Sequence, residues 1–180
     1  MADKSGIEWT DATWNMIRAK TGRWFCEKIS AGCKNCYAEK MAHRFGGTPY
    51  LKSSKNSVYL DGDVLTQPLR WRRPRVIFPC SMTDLFLRLV EDDWISAVFG
   101  VMAATPHHTY QPLTKRADRM VKWFTMVSQQ PDPIDYIASK ARAALPASGQ
   151  YARVRKDFSV TSGVTWPLLN AHVGVTVEDQ

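Results

Sequence analysis

Residues 76–105, VIFPCSMTDLFLRLVEDDWISAVFGVMAAT, decide the fold because a short apolar run is followed there by an amphipathic stretch. Residues 76–80 predict a buried strand, and residues 92–105 carry apolar side chains at helical spacing. A polar loop separates the two and contains Ser81, Thr83 and Asp84. The segment therefore predicts a strand, a loop and a helix in that order.

The same unit recurs further along the chain. Residues 109–114 predict a second strand, and residues 117–127 predict a helix with one apolar face. Residues 171–177 predict a last strand. Alternation of strands and helices indicates an α/β fold whose parallel strands are joined by right-handed crossovers, in an open sheet or a barrel.

The domain organisation follows from length and from gaps in this pattern. A chain of 180 residues suits one domain, 1–180, with 131–167 read as an insertion. Residues 36–45 predict a helix, and 46–75 a loop-rich connection. Proline is awkward inside a strand because it cannot donate to the ladder, so Pro79 and Pro112 leave two strand limits open.

Composition narrows the class of protein. Apolar residues make up 44% and charged residues 23%, which is ordinary for a globular protein and excludes disordered and collagen-like classes. No apolar run reaches the roughly 18 residues of a membrane span, and the N-terminus does not resemble an export signal. We therefore expect a cytoplasmic protein without a membrane partner.

The positive charge lies in the N-terminal part of the chain. Residues 1–75 contain 14 Lys and Arg against 7 Asp and Glu, whereas residues 76–180 contain 10 of each. Aromatic and basic residues interleave in WRRPR (71–75) and YARVRKDF (151–158), a composition suited to stacking on bases and contacting phosphates. This favours a nucleic acid or nucleotide partner, with ordinary solvated loops as the alternative.

Three of the four cysteines, Cys26, Cys33 and Cys36, lie in the spacing C-x6-C-x2-C. Such clustering does not resemble the disulfide framework of a secreted domain and favours metal binding in a reducing compartment. Three thiolates would hold a 4Fe-4S cluster and leave one iron open for a ligand. A zinc site completed by His43, or free buried thiols, are the alternatives.

Polar side chains follow each predicted strand. Because ligands bind beyond the carboxyl ends of parallel strands, these groups are expected to face one pocket together with the cysteines. Helix capping is the alternative reading. The residues are Ser81, Thr83, Asp84, Thr114, Lys115, Arg116, Thr176 and Glu178.

Several stretches together resemble a known family. They are IEWTDATWN (7–15), WFCEKISAGCKNCYAEKMA (24–42), VIFPCSMTDLF (76–86), TYQPLTKRADRM (109–120) and HVGVTVEDQ (172–180). In this order they look like the signatures of a phage-encoded three-cysteine-motif family that is similar to radical S-adenosylmethionine enzymes. The cysteine motif is also similar to that of spore photoproduct lyase.

The resemblance implies a partial (β/α) barrel of parallel strands and a 4Fe-4S cluster held by Cys26, Cys33 and Cys36. S-adenosylmethionine would bind the open iron and yield a 5′-deoxyadenosyl radical that acts on a nucleic acid or nucleotide. Lys115 and Arg116 would pair with a carboxylate or phosphate. Ser81 and Asp84 would line the pocket, and Glu178 would bind ribose hydroxyls.

The chain contains about four strand units, whereas the family's barrel has six strands, so the resemblance implies a barrel truncated at its C-terminal end. A second copy or a partner chain would then cover the open edge. Two further hypotheses remain: a zinc-stabilised nucleic-acid-binding module without catalysis, and a phage protein that binds a host protein. In each case the expected location is the cytoplasm, of the host cell if the gene is carried by a phage.

Overall fold

The computed structural model describes residues 5–20, 24–44 and 58–176. Within them the strands are β1 (Ala12–Trp14), β2 (Ile17–Ala19), β3 (Val58–Leu60), β4 (Val76–Pro79), β5 (Thr109–Tyr110), β6 (Leu113–Thr114) and β7 (Gly174–Val175). The helices are α1 (Tyr37–Arg44), α2 (Gly62–Leu65), α3 (Gln67–Arg70), α4 (Asp92–Ala103), α5 (Ala117–Ser128), α6 (Pro133–Ala144) and α7 (Ala152–Lys156), and a 3-10 helix spans Ala31–Asn35. No helix in these ranges is long and apolar enough to cross a bilayer.

Parallel strands form the centre of the fold. β4 lies between β1 and β5, and β6 pairs in parallel with β7. Backbone hydrogen bonds continue the ladder between these pieces, since Tyr110 donates to the carbonyl of Asn170 and Gly174 donates to that of Pro112. The predicted α/β class with parallel strands is confirmed, and no closed barrel forms among the described residues.

Proline explains why one predicted strand is found as two. Residues 109–114 were expected to form a continuous strand, but β5 ends at Tyr110 and β6 begins at Leu113. Pro112 lies between them and has no N–H to donate, so the ladder is interrupted at this point. The other doubtful proline, Pro79, is the last residue of β4.

The first strand, β1, is absent from the sequence-based prediction. It is only three residues long and polar residues flank it, so its pattern is too short to recognise. Pairing with β4 defines it, with Ala12 opposite Ile77. The Asp11 carboxylate accepts a hydrogen bond of 2.7 Å from the backbone N–H of Val76, which anchors the start of both strands.

The helices follow the predicted pattern closely. Those expected over 36–45, 92–105 and 117–127 correspond to α1, α4 and α5. The stretch 46–75 was predicted to be loop-rich, but its described part contains β3, α2 and α3, which are too short for their periodicity to be recognised. In the predicted insertion, α7 is an additional short helix. The strand predicted over 171–177 is shortened to β7, and its last residue lies outside the described ranges.

The proposed insertion contributes to the core. Helix α6 packs on α4 with Ile137 and Ala141 fully buried. Gly100 of α4 makes the close approach possible, because a Cβ there would overlap the carbonyl oxygen of Ile137 and lie 2.7 Å from the Cβ of Ala141. Residues 133–144 are thus an integral layer of the structure.

Replacing Gly100 by alanine should destabilise the protein, although alanine normally stabilises a helix. The added methyl group would push α6 away from α4, and overpacking of this kind costs about 1–3 kcal/mol in the free energy of unfolding. Urea denaturation would measure the change. Gly6→Ala is the matched control, since a Cβ at Gly6 meets no atom within 4 Å; equal effects at both positions would contradict the close packing.

Candidate functional site

A cavity of about 330 Å³ lies at the carboxyl ends of the parallel strands. Its walls come from three parts of the chain: the segment carrying the cysteines, the loop after β4, and the residues around β6 and β7. The lining includes Cys26, Cys33, Cys36 and Tyr37, residues 80–84, residues 113–116 and Thr176. We call it the cysteine cavity. Of the predicted site residues, only Glu178 cannot be placed, because it lies outside the described ranges.

The three clustered cysteines all border this cavity, in different surroundings. Cys33 is buried, whereas Cys26 and Cys36 are partly exposed, and all are free thiols. Cys26 Sγ lies 3.8 Å from the carbonyl oxygen of Glu27, and Cys33 Sγ lies 3.5 Å from the Ser30 hydroxyl. The 3-10 helix Ala31–Asn35 contains Cys33, and Cys36 lies between this helix and the first residue of α1, Tyr37.

Two of the thiols have shifted pKa values of opposite direction. Burial raises the pKa of Cys26; the charge of Arg116 opposes this and that of Asp84 adds to it. Burial also acts to raise the pKa of Cys33, but hydrogen bonds from Ser30 and the backbone, with the nearby charge of Lys115, lower it overall. The Cys33 thiol is therefore easier to deprotonate than an ordinary cysteine.

The three thiols line the same cavity, but they do not converge on one metal position. Among the described residues, no group of three or more His, Cys, Asp or Glu side chains lies close enough together to hold a metal ion. His43, the fourth ligand of the zinc hypothesis, is exposed on α1 and does not line the cavity. The cluster and zinc hypotheses both stay predictions.

Asp84 is the centre of the polar network beside the cavity. One carboxylate oxygen accepts from the Thr114 hydroxyl at 2.7 Å and from the backbone N–H of Phe86 at 2.9 Å. The other accepts from the backbone N–H of Lys115 at 3.0 Å and from the Arg116 guanidinium at 2.9 Å. All these donors belong to the protein, so the buried carboxylate is fully satisfied without a ligand.

Arg116 extends this network to the cysteine segment. Its side chain is 10% exposed and that of Asp84 is 8% exposed, so their ion pair is buried. The second guanidinium nitrogen donates to the Glu27 carbonyl at 3.1 Å, next to Cys26. Arg116 was predicted to pair with a carboxylate or phosphate; in the structure it pairs with the Asp84 carboxylate and holds the cysteine segment to the loop after β6.

Ser81 is hydrogen-bonded to Asn15, which was not among the predicted site residues. Its hydroxyl lies 3.0 Å from Nδ2 and 3.2 Å from Oδ1 of Asn15, and the same Oδ1 accepts from the backbone N–H of Met82. Asn15 is buried directly after β1. Asn15 could have been predicted as a site residue because it is polar and follows a strand, but β1 itself was not predicted from the sequence.

Thr83 differs from Ser81 and Asp84 in its hydrogen bonding. Its hydroxyl is buried beside the cavity and, within the described part of the chain, has no hydrogen-bond partner. A buried hydroxyl without a partner is unfavourable, and such groups are commonly satisfied by a bound molecule. Thr83 is therefore the polar side chain in the wall best placed to bind a ligand.

Tyr37 and Cys80 also line the cavity. Tyr37 is 44% exposed, and its hydroxyl lies 3.6 Å from the sulfur of Met82. Cys80 is buried against the Met16 sulfur at 3.4 Å, and burial raises its pKa strongly. Its φ of 55° turns the chain sharply from β4 into the cavity loop.

The groups in the wall fit the chemistry of an iron–sulfur cluster with one open iron. Cys26, Cys33 and Cys36 supply three soft sulfur donors to one cavity, which is the donor set of such a cluster. The positive charge of Lys115 and the hydroxyl of Thr83 lie in the same wall and suit a polar ligand beside it. If a cluster binds in this protein, these are the residues that would hold it and its ligand.

Comparison with known proteins gives one match. A family model described as "Protein of unknown function (DUF5131)" matches residues 4–180. No curated protein and no solved structure matches the chain. The match covers nearly the whole sequence, including every segment that lines the cysteine cavity.

Removing one partner of the buried ion pair should be costly. Asp84→Asn removes the nearer counter-charge of the Arg116 guanidinium, which retains only the Glu27 carboxylate at 3.9 Å, and should lower the free energy of unfolding by about 3 kcal/mol. The exposed pair Arg153–Asp157, 3.2 Å apart, is the control. Asp157→Asn should cost less than about 1 kcal/mol in the same denaturation experiment.

A double variant sharpens this test. Arg116→Met in the Asp84→Asn background should recover part of the lost stability, because no unpaired charge remains buried. Strictly additive losses would contradict the network described above.

Two threonines in the same wall should respond oppositely to valine. Thr83→Val removes a hydroxyl without a partner and should leave the free energy of unfolding unchanged or raise it by about 1 kcal/mol. Thr114→Val breaks a hydrogen bond to Asp84 and should lower it by about 1–2 kcal/mol. Thermal and urea denaturation would compare the two; a loss at Thr83 equal to that at Thr114 would show that Thr83 has a structural partner.

Proposed function

We propose that this protein is a radical S-adenosylmethionine-type iron–sulfur protein acting on a nucleic acid or nucleotide. The chain belongs to the DUF5131 family of proteins of unknown function, and the proposal is based on its cysteine cavity. One observation carries the proposal. Three thiols that are separated in sequence by the spacing C-x6-C-x2-C border a single cavity at the carboxyl ends of parallel strands. This is where α/β proteins bind ligands.

The number of thiols supports a cluster with an exchangeable position. A structural tetrahedral zinc site needs four ligands, and His43, the fourth ligand considered, is not in the cavity wall. A 4Fe-4S cluster held by three cysteines retains one iron for a ligand. When bound, such a cluster would supply the electron that cleaves S-adenosylmethionine to methionine and a 5′-deoxyadenosyl radical.

The chain's own residues would bind and orient the ligands. Lys115 brings a positive charge to the wall, suited to the carboxylate of S-adenosylmethionine or to a phosphate. The Thr83 hydroxyl would donate to a ligand oxygen. Apolar side chains of Phe78, Met82 and Leu113 line the same cavity and would exclude water from a reactive radical.

Asp84 and Arg116 act in this proposal as positioning residues. Their ion pair joins the loop after β4 to the loop after β6, and the bond from Arg116 to the Glu27 carbonyl adds the cysteine segment. Together they hold the thiols at a constant position relative to the ends of the strands. The role proposed for them is indirect, through the shape of the cavity.

The partial barrel is also part of the proposal. The parallel strands are hydrogen-bonded neighbours in the order in which they occur in the chain: β1, then β4, then β5 with its continuation β6, then β7. This is the strand order of a (β/α) barrel. In such a partial barrel a second copy or a partner chain would pair with β7. The cytoplasm is the compartment proposed, because it keeps thiols reduced.

Metal analysis of protein purified without oxygen tests the proposal. We expect a brown protein with about four iron and four sulfide per chain. Cys33→Ala should abolish the visible absorbance and most of the iron, because it removes one of three ligands. Cys80→Ala is the matched control: it also removes a buried thiol from the cavity wall, outside the trio, and should retain the cluster.

Two other metal contents would contradict the proposal. A colourless protein with about one zinc per chain would replace the proposal by a zinc-stabilised binding module. A protein with neither metal would exclude both. For the loaded protein, release of 5′-deoxyadenosine after addition of S-adenosylmethionine and a reductant is the second expected result.

A further inference from the structure

Two segments rich in aromatic and basic residues come together on the surface. Residues 71–75 and 151–158 are far apart in the sequence, but Arg70 connects them. Its guanidinium carbon lies 4.2 Å from the ring centre of Tyr151, and Nη1 donates to the Tyr151 hydroxyl at 3.4 Å. The end of α3 therefore contacts the start of α7, and both segments belong to one surface.

A second group of cations lies in the same region. Arg142, Arg155 and Lys156 border an open hollow of about 390 Å³ whose other lining residues are Ala147, Ala152 and Phe158. Arg142 also donates to the carbonyl of Phe158 at 3.4 Å, which ties α6 to the segment after α7. In the part of the chain that the structure describes, no acidic side chain lines this hollow.

Basic side chains predominate in this region. We call it the arginine surface and define it by Arg70, Arg72, Arg73, Arg142, Arg155 and Lys156. Among the described residues, no carboxylate forms an ion pair with the three cations of the hollow, whereas the neighbouring Arg153 pairs with Asp157 at 3.2 Å. Like charges in proximity repel, and a polyanion would relieve that repulsion.

The arginine surface lies at the other end of the sheet from the cysteine cavity. Arg75 directly precedes β4, and its carbonyl accepts from the first residue of β5, Thr109. The cavity instead follows the carboxyl ends of β4 and β6. A single mononucleotide in the cavity would not reach across the sheet, but a polymer would be able to.

We propose that the arginine surface binds the sugar–phosphate backbone of a nucleic acid, at a site separate from the cysteine cavity. Planar guanidinium groups bind phosphate oxygens in pairs. The rings of Trp71 and Tyr151 already lie 4.6 Å and 4.2 Å from guanidinium carbons of Arg75 and Arg70, and rings beside such cations are typical of nucleic-acid surfaces. This deepens the proposed function, on whose substrate class it rests, by favouring a polymer over a free nucleotide.

Anisotropy of fluorescent single-stranded and duplex DNA, titrated at several salt concentrations, tests the inference. The full chain carrying Cys33→Ala is the parent, so binding is measured without any cluster. Combining Arg142→Gln, Arg155→Gln and Lys156→Gln should weaken binding at least tenfold and reduce the slope of log K against log salt by about 2–3. The exposed pair Arg72→Gln and Arg73→Gln, with no buried contact to lose, should act in the same direction.

The control removes the same charge elsewhere. Lys40→Gln, Lys122→Gln and Lys140→Gln together, all outside the two segments, should change the affinity less than about threefold, because contacts rather than net charge determine binding. Equal losses in both triple variants, or no binding by the parent at low salt, would overturn the inference. So would polyglutamate that displaces the DNA as well as unlabelled DNA does. The proposed function is tested separately, because iron is measured on the unaltered chain and DNA binding is measured on chains that carry Cys33→Ala.

Discussion

The buried ion pair between Asp84 and Arg116 is the interaction on which the rest of the site depends. It joins the loop after β4 to the loop after β6, and through the Glu27 carbonyl it reaches the segment of the cysteines. A buried charge is tolerated only when it is paired and hydrogen-bonded, and the Asp84 carboxylate accepts four such bonds. The three segments therefore have one favourable arrangement relative to each other.

That arrangement separates two kinds of chemistry at opposite ends of one sheet. Thiols, the Thr83 hydroxyl and apolar walls meet at the carboxyl ends of the strands. The arginine surface begins beside the amino end of β4, and the three cations of its hollow have no ion-pair partner among the described residues. In the proposed function the first end would hold the cofactor and the second would hold the polymer, so the sheet itself would set the distance between chemistry and binding.

Local sequence patterns were sufficient where an element is stabilised by its own periodicity. α4 is buried on all sides over residues 95–103 and α5 has one buried face, and the apolar pattern located both helices within one or two residues at each end. Short strands were harder, because pairing defines them: β1 has three residues and exists through its bonds to β4. Pro112 divides a predicted strand in two, since a missing N–H interrupts a ladder whatever the surrounding side chains are.

For the site, the sequence by itself determined which residues meet. Polar side chains after parallel strands share one edge of a sheet, so Ser81, Asp84, Lys115 and Arg116 could be assigned to the same cavity as the cysteines. Only the tertiary structure decided what each one contacts there. Asp84 and Arg116 satisfy one another while Thr83 has no partner among the described residues, because hydrogen bonds depend on distances that spacing along the chain does not contain. The same holds for the arginine surface, whose two segments share a composition but become neighbours only through the contact of Arg70 with Tyr151.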